Sequence, residues 1–139
     1  DAHAGGIGTV GVLNGAVNNM AYVFGTSSCT MTTTEKAVFV PGVWGPYYSA
    51  MVPGYWLNEG GQSAAGAAID QLLSFHPAAA EAREQAKAAA VPLPVWLADR
   101  VLAQVASPSE AVQLADGLHV VPEFLGNRAP LADPHAKAL

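Results

Sequence analysis

Residues 57–75 read LNEGGQSAAGAAIDQLLSF, and this stretch predicts the element around which the rest of the chain is arranged. A polar entry containing Glu59 leads into a Gly60-Gly61 turn and then into a helix of small residues. At 3.6 residues per turn the helix presents two opposite stripes. The core-facing stripe comprises Ala65, Ile69, Leu72, Leu73 and His76, and the small stripe comprises Ser63, Gly66 and Asp70. Gly66 costs a helix about 1 kcal/mol relative to alanine, so we expect another backbone or a flat bound group to pack against it.

The segments before this helix have the composition of strands. Residues 20–34 are rich in Tyr, Val, Phe and Thr, and they predict two strands joined near Gly25-Thr26-Ser27-Ser28. Residues 38–43 and 47–56 predict further short strands between Pro-Gly pairs. Residues 1–14 can form a helix with Asp1 as its N-cap, although several glycines weaken it.

The segments after it are mainly helical. Residues 78–90 and 93–106 predict two helices, and a third is expected from Ser107, with Glu110 completing a capping box. Residues 119–124 predict a final strand. A β-rich half followed by helices and a strand indicates an α/β or α+β fold with helices packed on a sheet.

The composition excludes several classes of protein. The chain has 139 residues, a length that suits one domain, and its net charge of −5 with 6 Lys+Arg argues against binding to nucleic acid. No apolar window is long enough to span a membrane. The single cysteine, Cys29, rules out an internal disulfide, predicts a reducing cytoplasmic compartment and is expected to be a small buried residue. The chain starts at Asp1 without a methionine, as expected of a piece of a longer protein.

Three groups of residues can carry chemistry, and each has an ordinary structural interpretation. The turn Gly25-Thr26-Ser27-Ser28 can direct N–H groups and hydroxyls at an anion, or can simply close a hairpin. Continued into Cys29, the same run fails the G-x-S-x-G pattern of a hydrolase nucleophile. Asp1 and Glu59 can serve as a general base or bind sugar hydroxyls, or can be a helix cap and a surface turn acid. The four histidines lack the spacing of a metal site.

Four segments, taken in order, resemble one family. They are DAHAGGIGTVG (1–11), FGTSSCTM (24–31), VPGVWGPYYSAMVPGYWLNEGGQSAAGAAID (40–70) and HVVPEFLGNRAPLADP (119–134). Together they are similar to the second domain of the FGGY carbohydrate kinases, in particular to the ribulokinase-like branch. The resemblance implies an incomplete actin-like ATPase, or ribonuclease H-like, α/β domain over residues 1–139, with helices packed on a mixed sheet.

The resemblance also implies a reaction and its residues. It implies ATP-dependent phosphorylation of a ketopentose or related polyol, with Mg²⁺, Asp1 as general base and Glu59 as a ligand of sugar hydroxyls. It places Gly25 and Thr26 at the ATP phosphates and the helix at Gly66 and Asp70 beside the nucleotide. An N-terminal kinase domain would be the missing partner, homo-oligomerisation stays open, and the piece alone is expected to be inactive.

Two alternatives to a kinase remain at this stage. The chain can be a non-catalytic module that binds a nucleotide or a sugar, or a purely structural α/β domain. The structural alternative predicts that no ligand binds and that Gly66→Ala is neutral or stabilising.

Overall fold

The computed structural model describes residues 1–11 and 14–139, with only the backbone of Asn14 described. The elements before the sheet and within it are α1 (Ala2–Val10), α2 (Asn14–Asn18), β1 (Ala21–Phe24), β2 (Ser28–Thr34), β3 (Trp44–Tyr48) and β4 (Trp56–Gln62). The elements after the sheet are α3 (Gly66–Phe75), α4 (Ala79–Ala88), α5 (Leu93–Leu102) and a 3₁₀ helix (Pro108–Ala115). The chain forms two compact units, Asp1–Asp70 with Val121–Leu139, and Gln71–Val120.

The sheet of the first unit contains the predicted hairpin, formed by β1 and β2. β1 and β2 pair antiparallel from Ala21 opposite Met31 to Phe24 opposite Ser28, as the Val- and Thr-rich composition predicts. β4 pairs antiparallel with β2 on one side and with β3 on the other, so the order is β1-β2-β4-β3. All pairs between the described strands are therefore antiparallel, where a mixed sheet was expected.

The prediction of a turn at Gly60-Gly61 is wrong, because both residues lie inside β4. Gly60 pairs with Thr30 and Gly61 with Cys29 in the ladder to β2. A Cβ atom on Gly61 would lie 2.8 Å from the carbonyl oxygen of Ser28. Glycine is needed there because another backbone approaches closely, a recognised use of glycine within a strand. Glu59 consequently projects from a central strand and not from a surface turn.

Other strand predictions shift or fail. The third strand is Trp44–Tyr48, whereas residues 38–43 hold no strand and residues 49–55 form turns. The predicted strand at 119–124 is also wrong, since its only bridge joins Phe124 to Gly126 among the described residues. Proline interrupts both segments, at Pro41 and at Pro122, and proline cannot donate to a strand ladder.

The core of the first unit lies between α1, α2 and one face of the sheet. Cys29, Met31 and Thr33 alternate inward along β2, and Met31 is fully buried. α1 packs closely on this core at Gly6, which has no side chain. A Cβ atom built there would lie only 2.8 Å from Sδ of Met51 and 3.0 Å from Cε of Met31. The predicted N-terminal helix is confirmed over α1, while its expected continuation through residues 12–13 lies outside the described residues.

The helix that follows β4 packs differently from its predicted stripe. Ala65 is buried as predicted, and Ala68 is buried as well, but Ile69 is 43% exposed and His76 is exposed. Small residues decide the contact face, because they let the start of α3 lie directly against the Gly25 turn. A Cβ atom on Gly66 would lie 2.5 Å from the carbonyl oxygen of Gly25, so another backbone explains this glycine.

The second unit is helical, largely as predicted. α4 lies within the predicted residues 78–90, and α5 ends earlier than expected, at Leu102. The third helix is 3₁₀ in type, and Ser107 precedes it without a side-chain capping bond. In a capping box the Glu110 side chain would accept the N–H of Ser107. Instead its Oε2 atom accepts the N–H of the preceding residue, Ala106, at 3.1 Å.

Candidate active site

Glu59 is a buried carboxylate held by side chains from three separate segments. Its Oε1 atom accepts the S–H of Cys29 at 2.9 Å and lies 3.5 Å from Nη2 of Arg128. Its Oε2 atom lies 2.9 Å from Nε2 of His3. The residue is 9% exposed. A buried charge of this kind persists in proteins when it is paired and hydrogen-bonded, which is the case here.

The balance of these contacts keeps Glu59 ionised. Burial by itself would raise the pKa of the Glu59 carboxyl, because it penalises the charged form. The hydrogen bonds from Cys29 and His3, together with the positive charges of protonated His3 and of Arg128, outweigh burial and lower the pKa. Glu59 is therefore an anion near neutral pH, and it can orient donors or accept hydrogen bonds from hydroxyl groups.

Cys29 is a hydrogen-bond donor and an unreactive thiol. Burial raises the pKa of Cys29 to about 11, and its hydrogen bond to the Glu59 carboxylate and the negative charge of that group act in the same direction. The thiolate is the nucleophilic form of cysteine, so this thiol is protonated and inert near neutral pH. The prediction of a small buried residue is confirmed.

Arg128 is fixed on two sides. Its guanidinium carbon lies 4.9 Å from the centroid of the Trp44 ring, and its Nη2 atom faces Glu59. Trp44 is paired with Glu59 in the ladder between β3 and β4. Stacking on an aromatic face restricts a planar guanidinium, so Arg128 keeps an oriented donor edge beside the carboxylate.

Asp1 and His3 lie at the start of α1. Asp1 is exposed, and its carbonyl oxygen accepts the N–H of Gly5 at 2.9 Å. Its side chain makes no capping hydrogen bond, so Asp1 caps the helix by position only. His3 follows two residues later and makes the contact to Glu59. The structure thereby brings the beginning of the chain to the middle of β4.

The Gly25 turn meets the start of α3. The N–H groups of Ala65 and Gly66 donate to the carbonyl oxygens of Thr26 at 2.7 Å and of Gly25 at 2.9 Å. Gly25, Thr26 and Ser27 are exposed, and no atom lies within 4 Å of a Cβ atom built on Gly25. The exposed side of the turn is thus open to a ligand, whereas the first N–H groups of α3 are already paired.

Asp70 lies one turn after Gly66 on α3 and is exposed.

No group of three or more potential metal-ligating His, Cys, Asp or Glu residues occurs in residues 1–11 and 14–139. Within that same part of the chain, no helix is long and apolar enough to cross a bilayer.

Residues 20–139 match the C-terminal domain of the FGGY family of carbohydrate kinases. The chain belongs to this family. The α/β class and the actin-like ATPase fold that the resemblance implied are confirmed, because the chain is also similar to the crystal structure of a xylulose kinase from Rhodospirillum rubrum. That likeness has a TM-score of 0.61 and 27% sequence identity, and it covers 99% of this chain and 23% of the other.

Curated relatives within the FGGY family match the whole chain. An FGGY carbohydrate kinase domain-containing protein of Xenopus laevis is 47% identical over 100% of this chain and 27% of its own length. Its Homo sapiens counterpart is 43% identical with the same coverage. A D-ribulokinase of Saccharomyces cerevisiae is 34% identical over 99% of this chain and 22% of its length. The chain therefore spans about a quarter of the length of these relatives.

Sequence reasoning singled out Glu59 but missed its three partners. The spacing of the histidines bears only on a metal site, Cys29 is expected to be a small buried residue, and no role is predicted for Arg128. His3 lies 56 residues from Glu59 in sequence and Arg128 lies 69 residues from it. No periodicity connects such positions, although the occurrence of His3 and Arg128 within the FGGY-like segments was a usable signal.

Proposed function

We propose that this chain is part of an ATP-dependent kinase that phosphorylates a hydroxyl group of a ketopentose or a related polyol. One observation carries the proposal: the 2.9 Å contact between His3 and Glu59 joins the segment of the expected base to that of the expected sugar ligand. The relative that is named D-ribulokinase favours a ketopentose as the acceptor.

Asp1 is the proposed general base. Its carboxylate accepts the proton of the acceptor hydroxyl while that oxygen forms a bond to the γ-phosphorus of ATP. The bond from the γ-phosphorus to the β,γ-bridging oxygen breaks, and ADP leaves with that electron pair. The resemblance of residues 1–4, DAHA, to the motif of the FGGY family supports this role.

Glu59 is the proposed ligand of the sugar. A carboxylate has about four lone-pair positions, and Cys29, Arg128 and His3 occupy three sides of this one. A remaining lone pair can accept a hydrogen bond from one sugar hydroxyl. The pKa of Glu59 is lowered, so its carboxylate stays ionised and can act as this hydrogen-bond acceptor. Because the residue is largely buried, the sugar must approach along the edge left by its partners.

Gly25 and Thr26 are the proposed contacts to the phosphates of ATP, and Gly66 and Asp70 line the proposed nucleotide side of α3. The open space beside Gly25 and the exposed turn fit an anionic ligand. Mg²⁺ would neutralise charge on the phosphates when bound. It commonly uses phosphate oxygens and water with one or two carboxylates, which fits a chain without a protein metal cage among its described residues.

The remaining cleft would come from a partner domain within a longer kinase. Closure of two domains would position the reactants and exclude water, which limits hydrolysis of ATP. The length of the relatives supports this proposal. A cytoplasmic location and any homo-oligomer stay predictions.

The test follows ADP release from an intact kinase that carries this chain, with ATP, Mg²⁺ and a panel of ketopentoses and polyols that includes D-ribulose and L-ribulose. We expect stimulation by at least one sugar, and we expect Asp1→Asn to abolish turnover while ATP binding by calorimetry is preserved. Asp116→Asn, an exposed change in the second unit, is the matched control. A well-folded kinase that binds ATP without sugar-dependent release of ADP would instead be a binding module.

A further inference from the structure

The first turn of α1 carries Asp1, and the helix itself does little to hold that residue. The side chain of Asp1 makes no capping bond, and Gly5, Gly6 and Gly8 follow within the same short helix. Each glycine costs a helix about 1 kcal/mol relative to alanine. The orientation of this turn must therefore come from contacts with the rest of the protein.

Packing encloses the later part of α1 more fully than its first turn, where Ala2 is half-buried against the core. Gly6 lies against Met31 and Met51, and Val10 is buried in the core. Asp1 is exposed, and the side-chain hydrogen bond nearest to it in sequence among the described residues is the one made by His3. His3 is thus placed to fix the end of the helix that the core encloses least.

The acceptor of His3 is itself immobilised. Glu59 lies on β4, which has a paired strand on each side. Its other oxygen is held by the S–H of Cys29 and by Arg128, and Arg128 is stacked on Trp44. The Oε2 atom of Glu59 therefore has a fixed position on the sheet. A hydrogen bond from His3 to this atom restrains the first turn of α1.

We propose that His3 is a positioning residue, which sets the first turn of α1, and with it Asp1, against β4 through Glu59. The inference rests on the function proposed above and adds a residue to it. His3 contacts Glu59 and needs no contact with the substrate. Its side chain is 44% exposed, so solvent screening keeps the contribution of the pair to stability small. Its effect on the geometry of the base can still be large, since a displacement of 1 Å at a reacting group can cost about 100-fold in rate.

The experiment compares His3→Leu with His3→Gln in the intact kinase. Leucine cannot donate to Glu59, whereas the glutamine amide offers an N–H donor at a similar reach. We expect His3→Leu to lower kcat by about 100-fold with an unchanged KM for ATP, and His3→Gln to recover most of that loss. His119→Leu, at an exposed histidine in the second unit, is expected to leave kcat unchanged.

Equal kcat for His3→Leu and the wild type overturns the proposal, and so does a loss that appears only in KM. If His3→Leu does not fold, His3→Gln is compared with the shorter His3→Asn, and equal kcat for these two variants overturns it. Hydrogen exchange gives an independent readout at the N–H of Gly5, which donates to the carbonyl of Asp1. We expect severalfold faster exchange there in His3→Leu. Unchanged exchange overturns the positioning role even if the wild type phosphorylates no sugar, an outcome that would separately refute the proposed function.

Discussion

The Nε2 atom of His3 lies 2.9 Å from the Oε2 atom of Glu59, and this contact joins α1 to the central strand β4. Glu59 receives further donors from Cys29 and Arg128, so one buried carboxylate links the beginning, the middle and the end of the first unit. The properties of that carboxylate lead to predictions for its own ionisation, for its thiol partner and for the packing around it.

Glu59→Gln is expected to destabilise the protein in a pH-dependent way. An amide replaces one acceptor oxygen by a donor, which leaves a buried partner unsatisfied at a cost of about 1–3 kcal/mol near pH 7. Because folding lowers the pKa of Glu59, the stability it contributes is fully present above its ordinary pKa of about 4.3. That contribution disappears as the pH falls through the lower pKa of the folded state. Urea unfolding of both proteins across pH 3–7 measures the difference.

The control for this prediction is Glu84→Gln, an exposed glutamate on α4. Its free energy of unfolding should stay within about 0.5 kcal/mol of the wild type. A constant difference between Glu59→Gln and the wild type down to the lowest pH would contradict a lowered pKa.

The two cationic partners are expected to affect the pKa of Glu59 unequally. His3 supplies both a hydrogen bond and a charge, whereas the effect of Arg128 is that of its charge alone. His3→Leu should therefore raise the pKa of Glu59 more than Arg128→Leu does. Carbon-detected NMR titration of the glutamate carboxyls measures both shifts, and a larger rise in Arg128→Leu would reverse this assignment.

Cys29 is expected to resist alkylation in the folded protein. Its pKa of about 11 and its burial leave almost no accessible thiolate at pH 8. Iodoacetamide should modify the thiol slowly under native conditions and rapidly in concentrated urea, as followed by mass spectrometry. Equal rates in the two conditions would show that this thiol is accessible in the native state.

Gly66→Ala is expected to destabilise the protein by about 1–3 kcal/mol, the usual cost of forcing atoms into a packed site. The new Cβ atom would lie 2.5 Å from the carbonyl oxygen of Gly25, and a backbone atom cannot move aside easily. Gly8→Ala is the matched control on α1, because no described atom beyond its chain neighbours and its own helix backbone lies within 4 Å of its Cβ position. There alanine should stabilise by up to about 1 kcal/mol. Thermal unfolding of both variants gives the comparison, and a stabilising Gly66→Ala would contradict the close packing of Gly66 on the Gly25 backbone.

Local composition predicted the elements that rest on local physics. The Val- and Thr-rich residues 20–34 form the expected hairpin, and the Ala-rich residues 78–90 contain α4. The same reasoning failed at Gly60-Gly61. Two consecutive glycines predict a turn when only local sequence is considered, but pairing with β2 places both of them in a strand. It also failed for part of the apolar stripe of α3: Ala65 is buried as predicted, but close approach to the Gly25 turn buries Ala68 and leaves Ile69 exposed.

By itself, the sequence determined the α/β class, the hairpin, the Ala-rich helices and the resemblance to FGGY kinases, since all of these depend on neighbouring residues or on the order of motifs. It also drew attention to Glu59. Only the tertiary structure placed that carboxylate on a central strand and surrounded it with His3, Cys29 and Arg128. The physical reason is that its charge becomes tolerable in a buried position only when folding delivers donors from positions far apart in sequence.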